Sequence, residues 1–292
     1  MNQTILTILG LSAIAAVPTS MLVLSLKAGR PFLRELFIHK SLLVKYLIVM
    51  FILLPALALT FYFIDTEHYR IWLAVLIISI SPPTIGMTKD VTKLGGNPNI
   101  CTAWLITAIL LSFVVIPMNL LIIQKIMGVN VDLGIDDVTF KLFIMFVLPM
   151  MTGFTITKYF PGIKPAVLRI FDLLSKTASL ILIICLLIIA LPIILQKGLI
   201  DLFLIFAFII IAFAVSYFVE STEKNNFGPI LSNSVIYRLP APAIILASIN
   251  GKTKEFAPEI LSFLIIGMVT IKIFNKLIYK KKTFESSPSP KS

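Results

Sequence analysis

Hydrophobic stretches of about twenty residues recur along the whole chain, separated by short polar connections. A helix of that length crosses the hydrocarbon of a bilayer. The pattern predicts nine such segments: Ile5–Leu26, Ser41–Ile64, Ile71–Gly96, Asn99–Ile126, Val138–Thr157, Ile170–Leu195, Leu199–Val219, Phe227–Asn250 and Pro258–Tyr279. Two of them are interrupted. The third reads IWLAVLIISISPPTIGMTKDVTKLGG, with Ser81, Pro82, Pro83 and Thr84 near its middle. Consecutive prolines remove two backbone donors and clash with the preceding turn, so the helix breaks there. The eighth reads FGPILSNSVIYRLPAPAIILASIN, with Pro240 and Pro242 about halfway along and Arg238 just before them. Backbone freed at membrane depth is tolerated only inside protein or beside a wet cavity. Two Pro-broken spans in corresponding halves of a chain point to a transport site.

Composition agrees with an all-α polytopic membrane protein. The chain has 292 residues, 58% hydrophobic and 13% charged, against roughly a quarter charged in soluble domains, which leaves no room for a sizeable soluble domain. Its net charge of +11 is not a nucleic-acid signature, because the cations sit in short connections between apolar spans. Cys101 and Cys185 fall inside spans and read as small core residues. His39 and His68 lie in loops far apart and form no ligand constellation. The first run lacks a basic leader and is expected to remain as a helix.

Charge also orients the chain. Lys27, Arg30, Arg34, Lys40, Lys45, Lys89, Lys93, Lys158, Lys164, Arg169, Lys224, Lys276 and the lysines at 280–282 fall on one side. Arg70, Lys125, Lys141, Lys197, Lys252 and Lys254 fall on the other. The bias alternates through all nine spans and predicts an N-terminus outside and a C-terminus in the cytoplasm of a plasma (inner) membrane. One transmembrane domain is expected over 1–279, followed by a basic, Ser/Pro-rich disordered tail at 280–292 whose lysines meet anionic lipid.

The two interrupted spans lie five helices apart. An odd offset inverts the second unit relative to the first, so residues 1–126 and 138–279 read as an inverted-topology repeat. The fifth span is left unmatched, as if the first unit lacked its first helix.

The runs SPPTIGMTKDVTKLGGNPN and SNSVIYRLPAPAIILASINGK, with the basic loop KAGRPFLRELFIHKSLLVKY and the helix carrying Leu54-Pro55-Ala56, resemble the bile acid:sodium symporter family. The resemblance implies a core domain with two broken helices crossing at mid-membrane, a panel domain packed against it, and a nine-helix form when the first helix is absent. It also implies a sodium site, onto which Thr88, Thr107 and Asn233 map. The chain departs from that pattern. Met87 and Asn233 stand where the family carries a polar ligand and a carboxylate, and the nearest acid, Asp90, is seven residues past Pro83. Sodium coupling is therefore in question, with proton exchange, uniport or a relic sodium site all open, and no other cofactor is indicated.

Several residue types at the breaks suit an anion. Half-helices starting near Thr84 and Ala243 direct free N–H groups and about half a positive charge inward. Thr84 is a candidate cap for the first. Arg238, near the bilayer centre, must face protein or a cavity. It bonds freed backbone carbonyls or an acid, or it contacts substrate, or it stands in for a bound cation. Lys89 either snorkels to the surface or takes part in the site. Asn233 and Tyr237, with Ser232 and Ser234, bond between helices or contact the ligand. The expected partners are a small organic anion and the lipid bilayer, with no nucleic acid. The function this implies is alternating-access transport of that anion. A carrier of the cation/proton antiporter or auxin type, and a membrane receptor that binds without moving its ligand, remain alternatives. No nucleophile–base pair, metal cluster or cofactor motif marks an enzyme.

Overall fold

The protein is seen here as a computed structural model, which describes residues 3–28, 31–127, 135–196, 198–222, 227–240, 243 and 253–279. Among the described residues every element is helical. In chain order they are α1 (Gln3–Ala28), α2 (Pro31–Ile38), α3 (Lys40–Ile64), α4 (Tyr69–Ser79), α5 (Met87–Lys93) and α6 (Pro98–Met127). Then come α7 (Ile135–Leu142 continuing to Leu148–Tyr159), α8 (Lys164–Gln196), α9 (Leu199–Ser221), α10 (Ile230–Ile236) and α11 (Thr253–Phe274). The half-helix expected from Ala243 lies outside the described residues apart from Ala243 itself, which is buried. The tail at 280–292 also lies outside them.

Among the described residues, six helices are long and apolar enough to cross a membrane: Thr7–Ala28, Lys40–Ile64, Pro98–Asn119, Thr139–Tyr159, Leu199–Ser221 and Pro258–Ile278. Their outward faces carry large apolar side chains such as Ile52, Phe203 and Val269. A soluble monomer does not expose apolar surface on this scale. This is an all-α membrane protein.

Proline shapes two of the long helices in the same way. In α3 a π turn at Val49–Leu53 directly precedes Leu54-Pro55, and in α7 a π turn at Phe143–Val147 directly precedes Leu148-Pro149. Each proline lacks the N–H that would close the normal turn, and the helix widens by one residue just before it.

The helices form two groups. In the first, α1 lies along α8 and α7. Gly153 of α7 permits the close approach: a Cβ there would overlap Ser25 Oγ and sit 3.0 Å from the Leu22 carbonyl. Ser20 and Ser175 share a 2.7 Å hydroxyl bond, and Lys27 meets Asp172 at 2.6 Å. Small residues and interhelical hydrogen bonds do this work where hydrophobicity cannot drive association. The second group holds α3, α4, α9 and α11, with the short α5 and α10 and α6 alongside. At its centre Phe61 stacks on Trp72 at 4.7 Å, with Phe208 and Phe263 against them. The groups touch where α1 meets α6 and where α8 meets α11.

Candidate functional site

The third span is broken as its prolines predict. α4 ends at Ser79, and helix resumes only at Met87. The eighth span breaks likewise: α10 ends at Ile236, and residues 237–239 leave the helix. The two breaks meet. Thr84 N–H donates to the Tyr237 carbonyl at 2.8 Å, and Leu239 N–H donates to the Pro82 carbonyl at 2.9 Å. Pro83 and Arg238 thereby face each other in an antiparallel bridge, the single one among the described residues. Each break satisfies backbone groups that the other has freed. This is the requirement on irregular backbone inside a membrane.

Arg238 sits in this bridge, 1% exposed. Its Nε donates to the Val235 carbonyl at 3.0 Å and its Nη1 to the Ser81 carbonyl at 2.7 Å. Val235 lies in the last turn of α10, and Ser81 lies just past the end of α4. Both carbonyls belong to helix C-termini, where unpaired oxygens and the helix dipole concentrate negative charge. The guanidinium spans the two negative ends. Among the described residues no ion pair involves it.

Sequence reading places no acid within five residues of either break; the fold brings two acids close. Tyr237 donates its hydroxyl to Asp90 of α5 in a short hydrogen bond. Glu220, at the end of α9, accepts the Leu231 N–H at 2.9 Å and the Ser232 hydroxyl at 2.8 Å. In the sequence Glu220 looks like an ordinary charge at a span end. Only the packing of α9 on α10 shows that it caps the broken helix. Ser234 accepts the Trp104 indole N–H at 2.6 Å and bonds the Ile230 carbonyl.

The other site candidates are distributed as follows. Ser81 and Pro82 are buried in the bridge, and Pro240, just beyond it, is half-buried. Thr84 does not cap α5 with its side chain, because the helix starts two residues later with Gly86 at the cap position. Thr88 and Thr107 are half-buried, and each bonds its own helix, to the carbonyls of Ile85 (2.7 Å) and Ala103 (2.8 Å). Lys89 is exposed. Asn233 exchanges an amide bond with Asn275 at 3.0 Å and donates to the Pro229 carbonyl at 2.7 Å. Among the described residues, Thr88, Thr107 and Asn233 make no hydrogen bond to one another.

A second tie joins the chain just past α5 to the chain just before α10. Gly96, just past α5, and Gly228, just before α10, touch backbone to backbone, and Asn97 N–H donates to the Phe227 carbonyl at 3.1 Å. Gly228 has φ +83°, the left-handed region that glycine enters without strain. α5 and α10 are therefore pinned to each other at both ends. Beside the crossing, an apolar cleft of about 550 Å³ opens between α3, α4 and α6; Leu76 brings it about one turn from the break, and Asn119 is its one polar lining residue.

No protein-family model matches this chain, and no curated protein matches it.

Proposed function

We propose that the protein is a secondary carrier of a small organic anion, working by alternating access with a crossing like that of the bile acid:sodium symporters. In this reading Arg238 supplies the positive charge that a bound sodium ion supplies elsewhere. The observation that carries the proposal is the pairing of two Pro-broken segments around a buried guanidinium held by helix C-terminal carbonyls. In carriers with crossed broken helices, such carbonyls hold the coupling cation and half-helix N-termini hold the anionic substrate. A tethered cation on the carbonyls leaves the N-terminal side for an anion and removes the need for sodium. The group α1, α7 and α8 is the panel, and the remaining helices are the core that rocks against it. Nine spans, an inverted repeat, an N-terminus outside and a plasma-membrane location complete the proposal.

The test is uptake into proteoliposomes of labelled carboxylates and sulfonates. Arg238→Ala should abolish uptake while the protein still inserts and elutes as a folded species. Unchanged uptake would remove Arg238 from the site.

The Tyr237–Asp90 bond supports a second reading, in which a proton is the coupling ion and Asp90 carries it. Uptake by Asp90→Asn that keeps the pH dependence of the parent protein would eliminate that reading.

A further inference from the structure

We infer that the end of α8 nearest the 160–163 connection binds the headgroup of an anionic phospholipid between Lys27, Arg169 and Lys176. The inference goes beyond the transport reading and does not depend on it.

Asp172 of α8 receives Lys27 from α1 at 2.6 Å and Lys176 from the next turn of its own helix. One carboxylate thus serves two lysines, whose side chains are 51% and 64% exposed. Between residues 152 and 182 Asp172 is the sole acid, against Lys158, Lys164, Arg169 and Lys176. Among the described residues, Asp172 is the one carboxylate that pairs with these cations, so the cluster keeps an excess of positive charge.

The arrangement along α8 then selects the partner. Arg169 and Lys176 are seven residues apart, about two turns, and lie on one exposed face with Leu173 between them. The same face continues as exposed Leu180, Ile184 and Leu191. Cations at one end of an apolar stripe match a phosphodiester at the end of acyl chains. A soluble phosphate compound or an acidic protein segment would leave the stripe unused. Basic sites at helix ends that take anionic headgroups have this pattern.

Native mass spectrometry of the full chain, released from an equimolar mixture of phosphatidylglycerol and phosphatidylcholine, tests the inference. The parent protein should retain phosphatidylglycerol over phosphatidylcholine. The Lys27→Gln/Lys176→Gln variant should lose that preference by about five-fold per cation removed. A control pair, Lys40→Gln/Lys93→Gln, removes two exposed cations elsewhere and should keep it. If the double variant does not fold, Arg169→Gln carries the test, since it leaves the Lys27–Asp172 bond in place, and about a five-fold loss is expected. No preference in the parent protein, or equal loss in the control pair, would overturn the inference.

Discussion

Gly228→Ala gives the sharpest structural prediction, because its cost comes from the backbone. At φ +83° an L side chain is strained, by about 1–2 kcal/mol in left-handed geometry. The added Cβ would also overlap the Cα of Gly96 and sit 2.9 Å from its nitrogen. Those atoms cannot rotate aside, so the two loops must separate, at a cost typical of overpacking, about 1–3 kcal/mol. Together the change should cost about 2–5 kcal/mol, or about 4–10 °C in Tm for a chain of this size. The reciprocal Gly96→Ala meets Val91 Cγ1 at 2.5 Å and the Phe227 carbonyl at 3.1 Å and should fall in the same range. Gly10→Ala, with nothing within 4 Å of the new methyl, is the control and should be neutral. Thermal unfolding in detergent, followed by loss of the monodisperse species, reads all three. A Gly228→Ala protein as stable as the Gly10→Ala protein would refute the backbone tie between Gly96 and Gly228.

Other consequences follow from the packing and from the loop before α4. Gly153→Ala should destabilise the α1–α7 seam by about 1–3 kcal/mol, and adding Ser25→Gly should restore part of it; a double variant no better than the single would show that the two sites do not touch. Trp104→Phe removes the indole donor from buried Ser234 and should cost about 1 kcal/mol in thermal stability. In the loop before α4, hydrogen bonding to Asp65 raises the His68 pKa above 6.5, and the same contact lowers that of Asp65 below 3.8. The His68 contribution is complete below 6.5 and is lost as pH rises through the raised value, while that of Asp65 is lost as pH falls through its lowered value. The stability gap between the parent and His68→Gln should therefore be widest between those limits and close at alkaline pH; a gap that widens with pH would contradict the assignment.

The parts of the fold that were legible in sequence rest on local chemistry. Pro82-Pro83 breaks the third span because proline lacks a donor, whatever surrounds it. Span length and apolarity mark membrane helices because the bilayer sets both. The register of the crossing was not legible. That Pro83 faces Arg238, and that Ser81 receives the guanidinium from a residue 157 positions away, depends on how two distant segments pack. The same holds for Asp90 with Tyr237 and for Glu220 with Ser232. Thr84 shows the opposite failure: a good cap residue follows the break, but the helix starts later and does not use it.

If Arg238 is a built-in cation, a thermal-shift titration of sodium against choline reads it out. It should be run on the parent protein and on Arg238→Ala, with and without a panel of carboxylates, sulfonates and steroid-like anions. A ligand of the folded state raises its stability in proportion to occupancy. The account predicts that an anion stabilises the parent protein with no response to sodium. It also predicts that Arg238→Ala, with the Ser81 and Val235 carbonyls vacated, gains a sodium response. Stabilisation of the parent protein that requires sodium would contradict it.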